Sequence, residues 1–249
     1  MLKLAVFNTV LMIIAVIGVV LCRKYVKSDR GKRTVLIIVS LLTVACHYSS
    51  LLYHFITEGT GWGHLVSNPN LLLPIYPCNV VMWCAVILAF VDFRSRTFEF
   101  LSDYLFLFGI VSTLVGMFAN VDFIRNPTLR DYDVTTGILA HATLFFNVIL
   151  LPAFGLFRLD FKKNILHILM SIIGMFLIGC YCNLLIRVLG SEEYAYNVNS
   201  MFILHSPFEG MPYLTYPLIG AVALVAYTVV LFVCDRVFRR KREVKGNTK

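Results

Sequence analysis

The sequence predicts an all-α, polytopic membrane protein, and three observations predict it. Of its 249 residues 59% are apolar and only 14% carry charge, which excludes an ordinary water-soluble core. The apolar residues gather in runs of about 20, the length a helix needs to cross roughly 30 Å of hydrocarbon. The charges fall in short segments between those runs and in the C-terminal tail.

Seven runs qualify, and residues 1–249 therefore read as a single integral membrane domain of seven transmembrane helices. The first, Leu4 to Cys22, exceeds the ~7–15 apolar residues of a signal peptide and leads straight into Arg23, Lys24, Lys27, Arg30, Lys32 and Arg33, so it reads as an uncleaved span. The second, Thr34 to Phe55, carries His47, Ser50 and His54 on one helical stripe. Its two histidines stand about 10 Å apart along the axis, too far for one metal ion, so no metal is expected there.

The third run, Leu71 to Val91, has Pro74 and Pro77 near its start, which loosen the backbone just ahead of Cys78 and Asn79. The fourth, Phe100 to Ala119, carries Asp103 near its cytoplasmic end. The fifth, Val134 to Phe157, holds His141, and the sixth, Ile165 to Leu189, holds Asn183. The seventh, Thr215 to Cys234, precedes a basic tail.

Lys and Arg fix the expected orientation. Eighteen of the 22 lie in residues 23–33, 94–96, 158–163 and the tail, all on one side of a seven-span chain. The positive-inside rule makes that side cytoplasmic, with the N-terminus outside and the C-terminus in the cytoplasm, as in a multi-pass protein of the cell membrane. The net charge of +8 thus reads as topology and contact with anionic lipid head groups at the cytoplasmic face. Membrane phospholipids are the expected partners and nucleic acid is not. All seven cysteines fall in or at the ends of apolar runs, which suits neither a disulfide framework nor a zinc knuckle. No cofactor is expected. The prolines and glycines of the two halves do not correspond, which argues against an inverted-repeat transporter.

Counting about 1.5 Å per residue from the outer ends, Cys78, His141, His47 and Asn183 all fall roughly 9–12 Å deep. With Asn79 they make one polar layer, costly in hydrocarbon unless its members face one another or a wet cavity. A neighbouring imidazole can take the proton of a thiol and leave a strong nucleophile, so Cys78 and His141 are the expected catalytic pair for acyl transfer. Asn79, Asn183 or backbone amides freed by Pro77 would hold the developing oxyanion. The bland reading makes Cys78 a small packing residue. The loop from Tyr194 to Tyr216, rich in Asn, Pro and aromatics, reads either as a lid over the pocket or as an interfacial anchor.

The stretch Leu73-Pro74-Ile75-Tyr76-Pro77-Cys78-Asn79-Val80, His141 in the fifth run, Asn197 to Met201, Pro207 to Gly210 and Tyr213 resemble the YwaF-like bacterial integral membrane proteins. These are related to vertebrate transmembrane acyltransferases that remodel ether phospholipids. The resemblance implies a seven-helix fold and a catalytic Cys and His at Cys78 and His141. It also draws attention to Tyr76, where bacterial members commonly carry His, to Asn79, where the vertebrate members carry His, and to Asn199 in the outer loop. Two readings of function follow: a lipid acyltransferase or hydrolase working through an outward-facing intramembrane pocket, or a non-enzymatic carrier, sensor or structural protein.

Overall fold

The computed structural model describes residues 2–118, 120, 128–206 and 210–246, and among these there is no strand. Their helices are α1 (Leu2–Tyr25), α2 (Asp29–Tyr53), α3 (Gly61–Ser67), α4 (Pro77–Phe90), α5 (Arg96–Phe118), α6 (Tyr132–Ala153), α7 (Phe161–Leu189), α8 (Glu192–Val198) and α9 (Tyr216–Gly246). A π-helical turn, His54–Glu58, extends α2. Six of the helices are long and apolar enough to cross a membrane, and the protein is a multi-pass membrane protein.

The expected span from Leu71 to Val91 needs correction. Leu71 closes a 3₁₀ turn, Pro69–Leu71, and the α-helix is Pro77–Phe90, 14 residues that rise roughly 21 Å. Residues 72–76 ahead of it are irregular because Pro74 and Pro77 deny the backbone two donors. Pro77 takes the first helical position, where its missing N–H costs nothing. The fifth span also ends early, at Ala153, where Gly155 at φ 71° turns the chain.

Polar side chains start the helices where the sequence supplies them. The Ser28 hydroxyl accepts from Gly31 N at 3.1 Å, and Asp131 accepts from Asp133 N and Val134 N at 3.0 and 3.2 Å. Asp160 and Ser191 do the same for α7 and α8.

The chain gathers into two compact units, residues 1–157 and 158–249. In the first, α6 packs against α1, α2, α4 and α5. Its burial explains why: Val134, Thr136, Ile138, Ala140, Ala142 and Leu144 are all buried, so neighbours cover more than one face. Gly109 of α5 lets the backbone come close to α6, since a Cβ there would stand 2.5 Å from Val148. Three of these helices are also tied by polar groups. Asn147 of α6 donates to Ser40 Oγ of α2 at 2.7 Å, and Ser40 donates to the Ala85 carbonyl of α4 at 3.2 Å. By contrast α1 turns Val6, Val10, Ile13, Ile14, Ile17 and Val20 outward, a surface suited to lipid.

In the second unit α7 packs against α8, α9 and the 3₁₀ turn Ser200–Phe202. Tyr216 donates to the Ile172 carbonyl at 2.8 Å, and the turn sits over Gly179, where a Cβ would meet Met201 at 2.8 Å.

Asn147→Ala leaves Ser40 without its donor and is expected to cost about 1–3 kcal/mol. The measurement is the melting temperature in detergent micelles, which falls if the relay carries stability and is unchanged if it does not.

Candidate functional site

Three helices of the first unit meet around a small cavity of about 20 Å³ lined by Thr43 and His47 of α2, Cys78, Asn79 and Met82 of α4, and Ala140, His141 and Leu144 of α6. That volume holds about one water molecule. Four of the residues expected in the polar layer therefore share one chamber: His47, Cys78, Asn79 and His141.

Each is positioned by local chemistry. Cys78 is the second residue of α4, directly after the proline that opens the helix. Asn79 is buried and accepts the Tyr76 N–H through Oδ1 at 3.2 Å, capping the same turn. Tyr76 itself is the N-cap residue and is not among the residues lining the cavity. The His47 Nε2–H points at the Asn70 carbonyl, 3.4 Å away, and ties α2 to the turn that precedes the irregular stretch.

His141 Nδ1 lies 2.8 Å from the Gly137 carbonyl one turn earlier in α6. A carbonyl oxygen only accepts, so Nδ1 carries the proton and, in the neutral ring, Nε2 carries the lone pair. The Nε2 edge rests on Gly116 of α5, the position at which any Cβ would collide with the ring. Cysteine is a free thiol at all seven positions.

Asn183 and Asn199 lie in the second unit and serve its own backbone. Asn183 Oδ1 accepts Ser200 N at 2.8 Å and its Nδ2 donates to the Ser200 carbonyl at 3.2 Å. Asn199, at φ 47°, donates to the His205 carbonyl at 2.8 Å and accepts Leu204 N at 2.9 Å. Both asparagines thus shape the loop that follows α7. Pro207, Phe208 and Glu209 of the expected lid lie outside the described residues.

A second polar cluster escaped the sequence reading, which took His54 as part of a stripe on one helix. The Gly59 reversal at φ 66° brings α3 back over the end of α2, and the His64 ring stacks on His54 with centroids 3.8 Å apart. Asp133, in the first turn of α6, completes the group: Ser50 Oγ donates to its Oδ1 at 2.6 Å and His54 Nε2 lies 3.0 Å from its Oδ2. Burial, and the His54 ring against it, hold the His64 imidazole below its ordinary pKa, so it stays neutral to lower pH than a solvated histidine. The glycines at 59, 61 and 63 were the sequence signal for such a reversal.

A family model described as the TMEM164 family matches residues 2–234. The chain belongs to the TMEM164 family. This is a transmembrane family, and the match takes in every residue lining the cavity. No curated protein and no solved structure matches this TMEM164 family member.

Gly116→Ala is expected to destabilise by about 1–3 kcal/mol through the clash with His141. In a His141→Ala background the same change costs little, because its obstacle is gone. Melting temperatures of the four proteins check the cycle, and additive losses would contradict the placement of the ring.

Proposed function

We propose that this TMEM164 family member is a lipid acyltransferase or lipid hydrolase, with Cys78 as nucleophile and His141 as general base. The observation that carries the reading is the shared chamber of Cys78, Asn79, His47 and His141, with the His141 tautomer set by Gly137. The resemblance to the YwaF-like proteins and their vertebrate acyltransferase relatives supports the same pair. In this reading the short helix Pro77–Phe90, with the irregular stretch ahead of it, is the third of seven crossings of one domain in the cell membrane. The N-terminus is outside, the C-terminus is cytoplasmic, and the basic inner segments rest on anionic head groups.

His141 Nε2 takes the thiol proton as the Cys78 sulfur attacks an ester carbonyl carbon of a phospholipid, forming a C–S bond. The ester C–O bond breaks, and the departing alcohol takes the proton back from His141. A hydroxyl of a second lipid, or water, then gives its proton to His141 and attacks the thioester. The C–S bond breaks, the thiolate regains the proton, and the acyl group leaves as ester or free acid. Asn79, whose Oδ1 is committed to Tyr76, offers Nδ2 to the oxyanion. Asn183 and Asn199 hold the loop after α7 and take no step in this chemistry.

At about 20 Å³ the chamber holds about one water molecule and no acyl chain. Enzyme action therefore requires the chamber to widen towards lipid.

The deciding experiment places the protein in nanodiscs with a phospholipid whose acyl chain carries an alkyne, followed by fluorophore coupling. A hydroxylamine-sensitive label at Cys78 is expected, absent in Cys78→Ser and lowered about 100-fold or more in His141→Ala, in line with the usual size of general-base effects. Labelling that ignores both changes overturns the reading in favour of a carrier or sensor.

A further inference from the structure

The His54, His64 and Asp133 cluster presents a problem of charge that a hydrogen-bond description leaves open. His54 Nδ1 lies 2.8 Å from Glu58 Oε2, and its Nε2 lies 3.0 Å from Asp133 Oδ2. A neutral imidazole has one N–H, so it can donate to one carboxylate and must turn a lone pair on the other. Carboxylates facing both ring nitrogens favour a further positive charge at this imidazole, either a second proton or a metal ion. The two carboxylates around two imidazoles make that position attractive to a cation.

We propose that His54, His64 and Asp133 bind a divalent transition-metal ion of the zinc class at the end of α2. One ligand atom from each residue already lies within 4.8 Å of the others. Tetrahedral zinc, at about 2.0–2.1 Å from each ligand, holds such atoms roughly 3.4 Å apart, so the stacked rings of His54 and His64 must rotate out of their stack to aim both lone pairs at one ion. Imidazole nitrogens select zinc, copper or nickel over magnesium and calcium, which prefer all-oxygen shells.

The surroundings have the parts of an outer shell. Glu58 holds the Nδ1–H of His54, the carboxylate–histidine–metal arrangement that fixes a ligand ring. Ser50 keeps its 2.6 Å bond to Asp133 Oδ1 and so leaves Oδ2 for the ion. His64 Nε2, now 2.9 Å from Ser50 Oγ, turns to the metal. Asn68, 3.3 Å from His64 Nδ1, reverses its amide to accept the N–H, giving up its bond to the His64 carbonyl. The Asp133 side chain is 42% exposed, so the fourth position opens to water. Three protein ligands and an open place are the pattern of a site that can exchange ligands.

The site differs from the stripe that the sequence displayed. His47 takes no part: it faces Asn70 and the Cys78 chamber, two helical turns or roughly 10 Å along α2. The metal group therefore stands apart from the proposed acyl-transfer pair, and neither proposal rests on the other.

The test uses the full chain, purified in detergent, stripped with a chelator and dialysed against Zn²⁺. One ion per chain is expected, with protons released on binding, seen as a heat that depends on the buffer. Affinity should fall at least 100-fold in His54→Ala/His64→Ala and at least tenfold in Asp133→Asn, which keeps the shape of the side chain. Should a variant fold poorly, wild-type protein suffices: Zn²⁺ should protect His54 and His64, and not His205, from diethylpyrocarbonate as read by mass spectrometry. Stoichiometric binding that survives the histidine changes belongs to the thiols and overturns the assignment. So does an absence of protection, which would leave a proton between His54 and Asp133.

Discussion

The hydrogen-bond relay from Asn147 through Ser40 to the Ala85 carbonyl is the constraint on which the first unit depends. In lipid, apolar side chains gain little by leaving their surroundings for one another, so close packing and polar bridges must hold helices together. This relay joins α6, α2 and α4. Those are the three helices that contribute the walls of the Cys78 chamber, and the chamber's geometry is therefore inherited from a bridge that touches none of its reactive atoms. Gly109 serves the same end by bringing α5 against α6, and Gly116, further along α5, takes the edge of the His141 ring.

The two units use their polar residues differently. In the first, buried amides and hydroxyls run between helices. In the second, Asn183 and Asn199 turn to the backbone of the loop after α7, where Asn199, Met201 and Phe202 all have positive φ. A non-glycine residue in that region costs conformational energy, and the two side-chain amides supply the bonds that hold three such residues within four positions.

Much of this was legible in the sequence because membrane depth is one-dimensional. Counting 1.5 Å per residue brought Cys78, Asn79, His47 and His141 to one level, and the same four line one cavity. Pro74 and Pro77 announced the irregular backbone before α4 for a reason that needs no tertiary information, the loss of backbone donors. Depth carries no lateral information, however, so it also admitted Asn183, whose partners are backbone atoms of its own unit. His64 was invisible for a related reason. Spacing rules find ligands on one helix, whereas His54, His64 and Asp133 come together from α3, α6 and the turn after α2 through a reversal at Gly59. Tyr76 matters through its backbone N–H, which no side-chain pattern reports.

The brevity of α4 has a consequence for the lipid around it. At roughly 21 Å, α4 is shorter than the roughly 30 Å of hydrocarbon that a crossing helix fills, unlike the six long apolar helices. Under the seven-crossing reading proposed above, the irregular residues 72–76 rather than helix fill the remaining depth beside Cys78. Under that same reading, acyl-chain length joins the polypeptide in setting the surroundings of the Cys78 thiol.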